Sequence, residues 1–345
     1  MFTKRSLVGL DIGSQEIKAV EMVESAGQMQ LSALATMPAV DRPDLSQALR
    51  EFFSKAGIRT KNVAISLSGQ SVVVRYISMP RMSEEELRSS LKYEAEKHIP
   101  FELDEVALDC ARLERGGALE PGDENEEMQV LLVAARKEAL DELLGVVRVA
   151  GLVPVAVDVD GFALGSAFEL SAASSGDGNG LDGVTALIDV GGSKTSINIV
   201  EDGLPSFSRE IYLAGKDFTE AISRRMGVSP EEGDRIKREA ASENFEVREC
   251  VSPLLGDLAA EIHASIDYFE NHHERSVDSV RISGGSAPLP GLGDTFEQAF
   301  GREVNEWNPL EGIEEADGAA GVRIPAGSSS RLAVAVGLAS RVLDF

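Results

Sequence analysis

The chain has 345 residues, of which 43% are hydrophobic and 26% are charged, so it is long enough for two lobes with separate cores. Its 33 lysines and arginines are outnumbered by 58 aspartates and glutamates, which gives a formal net charge of -25. This sign argues against direct binding to nucleic acid or to anionic lipid, because both need a cationic surface.

The apolar runs and the two cysteines indicate a cytosolic protein. The first apolar run meets Asp11 too early for a signal peptide, and no run approaches the roughly 18 residues of a membrane-spanning helix. Cys110 and Cys250 lack the spacing of a metal site, which is typical of reduced thiols in a reducing compartment.

The first half of the chain alternates predicted strands and helices. We predict strands at 6–12, 17–24, 62–68, 71–78, 104–114 and 128–135, and helices at 44–56 and 136–150. Ser83 and Glu86 form a capping box that opens a further helix, which ends near His98 before a proline. We interpret 80–150 as a helix–strand–strand–helix insert in a first lobe made of 1–79 and 151–175.

The second half repeats this alternation after a flexible segment. A strand at 153–159 and a helix at 161–172 precede a Gly/Ser-rich linker at 176–183. Further strands begin near 185, 196 and 277, and helices are predicted at 216–226, 230–242, 251–273 and 330–343. These elements predict a second lobe at 184–228 and 276–345 with a helical subdomain at 229–275.

An internal repeat is the most informative feature of the sequence. LDIGSQEIKAVEMVE at 10–24 aligns with IDVGGSKTSINIVE at 188–201, about half a chain length later. Both segments run from an aspartate through a glycine turn into a β-branched strand. The repeat predicts two equivalent hairpin loops that face each other across a cleft.

These loops have the residue types that bind a magnesium–phosphate group. Glycine lets the backbone N–H groups approach a phosphate closely, as at Gly13–Ser14 and Gly191–Ser193. Asp11 and Asp189 offer oxygen ligands to Mg²⁺ through water, and Lys18 can reach a phosphate. A single Asp-x-Gly hairpin is more often a plain turn, and Lys18 could be a solvated strand residue, but two hairpins in register favour the phosphate site.

The glycine motifs resemble those of a known superfamily. D-I-G-S-x-x-I-K, I-D-V-G-G and I-S-G-G-S are similar to the two phosphate motifs and the adenosine motif of the actin/Hsp70/sugar-kinase superfamily. The resemblance implies an α/β, actin-like ATPase fold with two duplicated RNase H-like lobes, and ATP with Mg²⁺ as cofactors. It implies that the nucleotide is lined by Asp11, Gly13, Ser14, Gln15, Lys18, Asp189, Gly191, Gly192, Ser193, Gly284, Gly285 and Ser286.

Three further residues are candidates for the nucleotide pocket. The superfamily uses a polar pair on one helix face against the base and ribose, and Asp234 and Lys237 have the matching i, i+3 spacing. The same spacing also fits an ordinary pair on a helix surface. Gly215 is a further candidate.

The insert narrows the resemblance to a family. The segment 79–110 resembles the small extra subdomain shared by PilM and FtsA proteins, and E-A-E-K-H-I-P-F and A-V-A-V-G-L-A-S-R look like PilM. We also expect no amphipathic tail of the FtsA type, because the last predicted helix runs to residue 343. The PilM resemblance implies a type IV pilus assembly scaffold at the cytoplasmic face of the inner membrane, held there through a protein partner.

Hydrolysis is the step on which the sequence leaves alternatives open. Asp158 follows the strand that links the lobes, where relatives place a group that orients the attacking water, and Asp160 competes with it for this role. Asp158 could equally have a structural role. We expect ATP·Mg²⁺ binding with at most slow ATPase activity.

Three functions are compatible with these features. The first is a scaffold whose groove between the first lobe and the insert binds the cytoplasmic N-terminal peptide of a PilN-like inner-membrane protein. Contacts with other pilus platform or motor proteins and self-association remain open. The second is an FtsA-like filament protein, and the third is a sugar or acetate kinase, for which no substrate-binding motif stands out.

Overall fold

The structure is a computed structural model that describes residues 5–25, 28–113, 127–174, 181–316, 319 and 329–344. Of the predicted linker at 176–183, residues 176–180 lie outside the described residues.

The described residues form strands and helices throughout the chain. The strands are β1 (Arg5–Ile12), β2 (Glu16–Ser25), β3 (Gln28–Pro38), β4 (Asn62–Leu67), β5 (Val72–Pro80), β6 (Val106–Leu113), β7 (Glu127–Arg136), β8 (Val153–Val159), β9 (Val184–Val190), β10 (Thr195–Glu201), β11 (Leu204–Ile211), β12 (Ser279–Ser283), β13 (Val304–Glu306) and β14 (Glu314–Glu315). The helices are α1 (Arg42–Ala56), α2 (Glu84–His98), α3 (Lys137–Val149), α4 (Asp160–Ser174), α5 (Gly215–Met226), α6 (Pro230–Glu239), α7 (Phe245–His273), α8 (Leu292–Phe300) and α9 (Ala333–Ser340).

Two sheets share one strand order. The first runs β3-β2-β1-β4-β8, with β14 added at its β3 edge, and the second runs β11-β10-β9-β12-β13. In both, an antiparallel three-stranded meander is followed by two parallel strands. This repeated topology confirms the predicted α/β class and the duplication of the lobes.

Each lobe has its own aliphatic core, and a third cluster joins the two. In the first lobe, α1 and α3 pack on the sheet, with Phe53 and Val147 at the centre. In the second lobe, α5, α7 and α8 cover the sheet around residues such as Phe218. Between the lobes, α4 and α9 pack against Met22 of the first sheet and Leu187 of the second. The lobes therefore share a buried apolar interface.

The third sheet, with the order β5-β7-β6, forms the insert together with α2. β5 pairs with β7 from Val72, opposite Ala135, to Pro80, opposite Glu127, so the insert begins at β5 rather than at residue 80. α3, which the sequence analysis grouped with the insert, packs into the first-lobe core instead. α9 and β14, grouped by sequence with the second lobe, contact the first-lobe sheet.

Local signals fix several helix ends as predicted. Ser83 accepts a hydrogen bond from the Glu86 amide, and the Glu86 carboxylate accepts one from the Ser83 amide at 2.7 Å, which confirms the capping box. Such a reciprocal pair satisfies N–H groups that have no partner within the helix.

The predicted start of α7 at residue 251 is wrong, because the helix begins at Phe245. Asn244 caps it by accepting a hydrogen bond from the Val247 amide at 3.0 Å. Pro253 lies inside the helix and cannot donate to the carbonyl of Glu249 four residues earlier. Arg225 donates to that carbonyl at 3.1 Å, so the proline is accommodated within the helix.

Several elements lack a strong local signal and were not predicted. β3 is rich in alanine and methionine, and its strand conformation depends on its pairing with β2. β11 follows a two-residue turn at Asp202–Gly203, where both residues have positive φ, so the Asp-Gly pair was an available hairpin signal. In the parts of the chain that the structure describes, no helix is long and apolar enough to cross a membrane.

Candidate functional site

The two repeat hairpins have the same geometry in the two lobes. In the first, Asp11 pairs across the ladder with Lys18, and the turn comprises residues 13–15. In the second, Asp189 pairs with Ser196, and the turn comprises residues 191–194. Each aspartate therefore lies near the end of a buried strand, close to its glycine turn.

The two turns contact each other across the cleft. A Cβ atom built at Gly192 would stand 2.5 Å from Cγ of Gln15 and 2.8 Å from Oγ of Ser14. A side chain at this position would force the Ser14 and Gln15 side chains of the opposite turn to move. Gly13, Gly191 and the exposed Ser193 belong to the same pair of turns.

The third glycine turn lies directly behind the second hairpin. Gly284 has φ of +96°, and a Cβ there would meet the backbone of Val190. The Ser286 amide donates to the Val190 carbonyl at 3.0 Å, and its hydroxyl donates to the Gly191 carbonyl at 3.3 Å. A Cβ at Gly285 would meet nothing within 4 Å, so this residue faces open space.

A network of carboxylates and lysines surrounds the turns. Lys18 donates to Asp11 at 2.7 Å, and both side chains are largely buried. Asp189 accepts a hydrogen bond from the Ser283 hydroxyl at 2.9 Å. Lys194 pairs with Asp160 at 3.0 Å and also with Glu210.

Burial dominates the electrostatics of this network. It raises the pKa of both Asp11 and Asp189, and the positive charge of Lys18 only partly offsets this. Burial alone would lower the pKa of Lys18, but Asp11 and Asp189 outweigh it and raise the pKa. The cleft therefore holds carboxylates whose ionised form would be stabilised by a further cation.

Asp160 differs from the other two carboxyl groups. Burial alone would raise its pKa, but Lys194 and the hydroxyls of Ser66 and Ser68 outweigh burial and lower the pKa. Its charge in turn contributes to the raised pKa of Asp11 and Asp189. Asp160 is thus an ionised group close to both hairpins.

Asp158 has other partners. Its carboxylate accepts a hydrogen bond from Nε of Arg341 at 2.5 Å and another from the Val159 amide at 2.8 Å. Although burial raises its pKa, the pairing with Arg341 opposes the shift. Of the two aspartates that sequence left open, Asp160 is the one that interacts with the hairpin carboxylates.

The pair on α6 lies next to the glycine turns. Lys237 donates to the Gly215 carbonyl at 2.8 Å and pairs with Asp234 at 3.0 Å. A Cβ at Gly215 would stand 2.7 Å from Oγ of Ser286 and 3.0 Å from the Gly191 carbonyl. The structure therefore brings all three predicted residues to one edge of the site.

Sequence reasoning missed Lys194 and Glu210. Lys194 ends the second turn, so its position directly after Gly191–Ser193 was an available signal. Glu210 lies on β11, which was itself not predicted, and it also accepts a hydrogen bond from the Gly69 amide at 3.0 Å. Because Gly69 lies just before β5, this contact connects the second lobe to the start of the insert.

A second candidate site is the insert groove, a cavity of about 750 Å³ between the insert sheet, β8 and α4. The insert sheet buries one face against α2, with Leu132 and Leu87 in that core. Its other face presents Ala107, Leu131 and Val133 to the groove. The opposite wall includes Phe162 and Val157, and Val157 is 40% exposed. The groove is thus mainly apolar and open to solvent.

The two repeated lobes and the opposed glycine turns define a protein of the actin-like ATPase fold. MreB5 of Spiroplasma citri bound to AMPPNP has this fold: the TM-score is 0.52 at 12% sequence identity, over 96% of this chain and 94% of that one.

A more specific likeness extends over nearly the whole chain. The family model of the type IV pilus assembly protein PilM matches residues 9–343, and the chain belongs to this family. A chain of the solved PilM-PilN type IV pilus biogenesis complex is 30% identical with a TM-score of 0.82, and 98% of each chain is covered. FtsA of Bacillus subtilis (strain 168) is 34% identical over 113 residues, which are 33% of this chain but only 24% of that protein.

Proposed function

We propose that the chain is an ATP-binding scaffold of the type IV pilus inner-membrane assembly platform. In this proposal, ATP·Mg²⁺ lies between the two hairpins, and the insert groove binds the cytoplasmic N-terminal peptide of a PilN-like inner-membrane protein. The membership of the PilM family and the likeness to the PilM-PilN complex support this function.

The observation that carries the nucleotide part is the contact between the two glycine turns. Gly192 lies so close to Ser14 and Gln15 that one phosphate chain would touch both turns. The backbone N–H groups of such turns bind phosphate oxygens. Gly215, Asp234 and Lys237 would border the nucleoside beside residues 284–286.

The carboxylates fit a magnesium ion held through water. Asp11 and Asp189 are buried near Lys18, and burial raises the pKa of both carboxyl groups, so an added cation would stabilise their ionised forms. Within the described ranges, no group of three or more His, Cys, Asp or Glu residues could hold a metal directly. Bound Mg²⁺ would neutralise phosphate charge, while Lys18 would partly neutralise Asp11 and Asp189.

The same residues favour slow hydrolysis. A general base must accept a proton from the attacking water, but Asp160 is held by Lys194 and two serine hydroxyls that lower its pKa. Asp158 is held by Arg341. Each candidate carboxylate is thus paired with a cation, which makes it a poor general base. This supports slow hydrolysis of a nucleotide whose main effect is to close the lobes.

The peptide part of the proposal rests on the shape and lining of the insert groove. One wall is a sheet face that the insert's own helix leaves uncovered, and the other contains the exposed Val157. β6 forms an edge of the described insert sheet, so an extended peptide could also pair with it. A partner anchored in this way would hold the scaffold at the cytoplasmic face of the inner membrane.

Calorimetry with a synthetic peptide of the N-terminal cytoplasmic residues of the cognate PilN-like protein tests the groove. Ala111 is exposed and lines the groove, so Ala111→Arg should fill it and weaken peptide binding by at least about 10-fold. ATP·Mg²⁺ affinity should be unchanged. If Ala111→Arg binds the peptide as the wild type does, the groove is not the partner site.

An FtsA-like filament is the second candidate, favoured by the sequence match to FtsA. Filaments in electron micrographs of the ATP-bound protein, without added partner, would support it. Their absence over a range of protein concentrations would favour the scaffold.

A further inference from the structure

Asn198 is a second-lobe residue that lines the insert groove. It lies on β10, whereas most of the groove comes from the insert and the first lobe. The residue is only 4% exposed. Its Oδ1 accepts a hydrogen bond from the Ser208 hydroxyl at 2.8 Å, but among the described residues its Nδ2 has no hydrogen-bond partner.

An unpaired buried donor calls for a partner. Leaving such a group unsatisfied is unfavourable, and most buried polar side-chain atoms in native proteins are hydrogen-bonded. Because Asn198 lines an open groove, a bound molecule is the natural source of the missing acceptor.

The glycines of α4 let this helix pack directly on the Asn198 side chain. A Cβ at Gly161 would overlap Oδ1 of Asn198 and stand 3.2 Å from Oγ of Ser208. One turn later, a Cβ at Gly165 would be 4.0 Å from Val200, the next β10 residue on that face. Both glycines line the groove. Glycine at position 161 therefore lets α4 lie directly against Asn198, beside the lining of the groove.

The charges around the groove select the kind of acceptor. Asp109 and Glu169 are exposed carboxylates on its lining, and Asp158 is a third, paired with Arg341. The lining of the groove thus includes three carboxylates and one cation. A carboxylate or phosphate group on the bound molecule is disfavoured because these carboxylates would repel it. A neutral carbonyl oxygen satisfies the Asn198 donor without adding negative charge.

We infer that Asn198 is a specificity-determining residue of the insert groove, whose Nδ2 donates a hydrogen bond to a main-chain or carboxamide carbonyl oxygen of the bound peptide. The inference rests on the proposed function of the groove. Because Asn198 belongs to the second lobe, a peptide bound in this way contacts both lobes as well as the insert.

Two substitutions distinguish hydrogen-bond donation from packing. Asn198→Ala removes the donor and leaves space, and should weaken binding of the PilN-like peptide about 5- to 10-fold. Asn198→Asp keeps the shape but replaces the donor with a carboxylate oxygen. At about pH 8 this oxygen would repel the carbonyl oxygen of the peptide, so Asn198→Asp should weaken binding more than Asn198→Ala does. If the residue only filled space, aspartate would bind the peptide better than alanine. Melting temperature and ATP·Mg²⁺ affinity report the fold of each variant.

The outcomes separate this inference from the proposed function. If Ala111→Arg abolishes peptide binding while both Asn198 variants bind within twofold of the wild type, the groove stands and the role of Asn198 is overturned. If Ala111→Arg has no effect on peptide binding, the assignment of the groove as the peptide-binding site is wrong.

A measurement on the unaltered protein covers the case in which the variants do not fold. With ¹⁵N-asparagine labelling, the side-chain amide signal of Asn198 should shift and exchange more slowly when the peptide is added. An unchanged signal at saturating peptide overturns the inference.

Discussion

Lys18 is a cation that interacts with carboxylates of both lobes. It forms a hydrogen bond with Asp11 of its own hairpin, and its pKa is raised by Asp189 of the other lobe as well. A residue in this position acts on the two hairpins at once. Its loss would leave two buried carboxylates facing each other with one cation fewer.

Replacing Lys18 with alanine should weaken ATP·Mg²⁺ binding by about 10- to 100-fold, because a hydrogen bond to a charged group contributes about 1.5–3 kcal/mol. Isothermal titration calorimetry measures the loss. Lys55→Ala is the control, since the pair that this lysine forms with Glu51 is exposed. If Lys18→Ala binds ATP·Mg²⁺ with wild-type affinity, Lys18 is not part of the nucleotide-binding site.

Replacing Asp189 with asparagine should stabilise the ligand-free protein while weakening nucleotide binding. Burial raises the pKa of Asp189, so the folded state holds the ionised carboxylate less well than the unfolded chain does. This cost is present above the raised pKa and disappears as the pH falls through it towards the ordinary value. At about pH 8 the melting temperature of Asp189→Asn should therefore rise by roughly 2 °C or more, and ATP·Mg²⁺ affinity should fall at least about 10-fold.

Differential scanning fluorimetry from about pH 4 to pH 8 follows this difference. The stabilisation by Asp189→Asn should shrink as the solution becomes more acidic. A variant that is less stable than the wild type at about pH 8 would show that the ionised carboxylate stabilises the fold.

At the scale of elements, the close packing of α4 and α9 joins the lobes. A Cβ at Gly337 of α9 would overlap the backbone of Ala163 on α4, and a Cβ at Gly9 of β1 would overlap the backbone of Ala335 on α9. The two helices and this strand approach at backbone distance. α9 is therefore positioned by glycines that belong to widely separated parts of the chain.

Gly337→Ala should destabilise the protein by about 3 kcal/mol, the upper part of the usual range for overpacking, because neither backbone can move independently of its neighbours. Urea unfolding measures the change. Gly256→Ala on the exposed side of α7 is the matched control: nothing lies within 4 Å of its Cβ, so it should stabilise by about 0.5–1 kcal/mol. Equal stability of the two variants would contradict the packing of α9 on α4.

At the scale of the whole molecule, the cleft between the two hairpins and the insert groove both include residues of α4 and β10. Asp160 at the start of α4 pairs with Lys194 of the second hairpin, and Phe162, two residues later, lines the groove. Both sites therefore depend on the same lobe interface. The insert sheet, by contrast, contributes only to the groove.

Replacing residues 72–136 with a short glycine linker should remove peptide binding and preserve ATP·Mg²⁺ binding. The excision is geometrically feasible because Val72 pairs directly with Ala135, so the chain enters and leaves the insert sheet at neighbouring positions. Calorimetry with ATP and with the PilN-like peptide measures both affinities. Retained peptide binding would place the partner site outside the insert.

The sequence predicted most of the fold, because the signals for it are local or repeated. Alternating apolar residues, the Ser83–Glu86 capping box and the two Asp-x-Gly hairpins specify strands, a helix start and a duplicated lobe without reference to distant contacts. Elements without such signals were missed. β3 is a strand because β2 pairs with it, and α7 extends across Pro253 because Arg225 donates to the freed carbonyl of Glu249.

By itself, the amino-acid sequence determined the fold class, the family resemblance and the paired glycine turns. Only the tertiary structure decided which of Asp158 and Asp160 interacts with the hairpin carboxylates, and it alone placed Lys194, Arg341 and Asn198. The physical reason is that charge pairing, burial and groove lining depend on residues far apart in the chain. Asp158 and Arg341 come together only when the last turn of the chain packs against the first lobe.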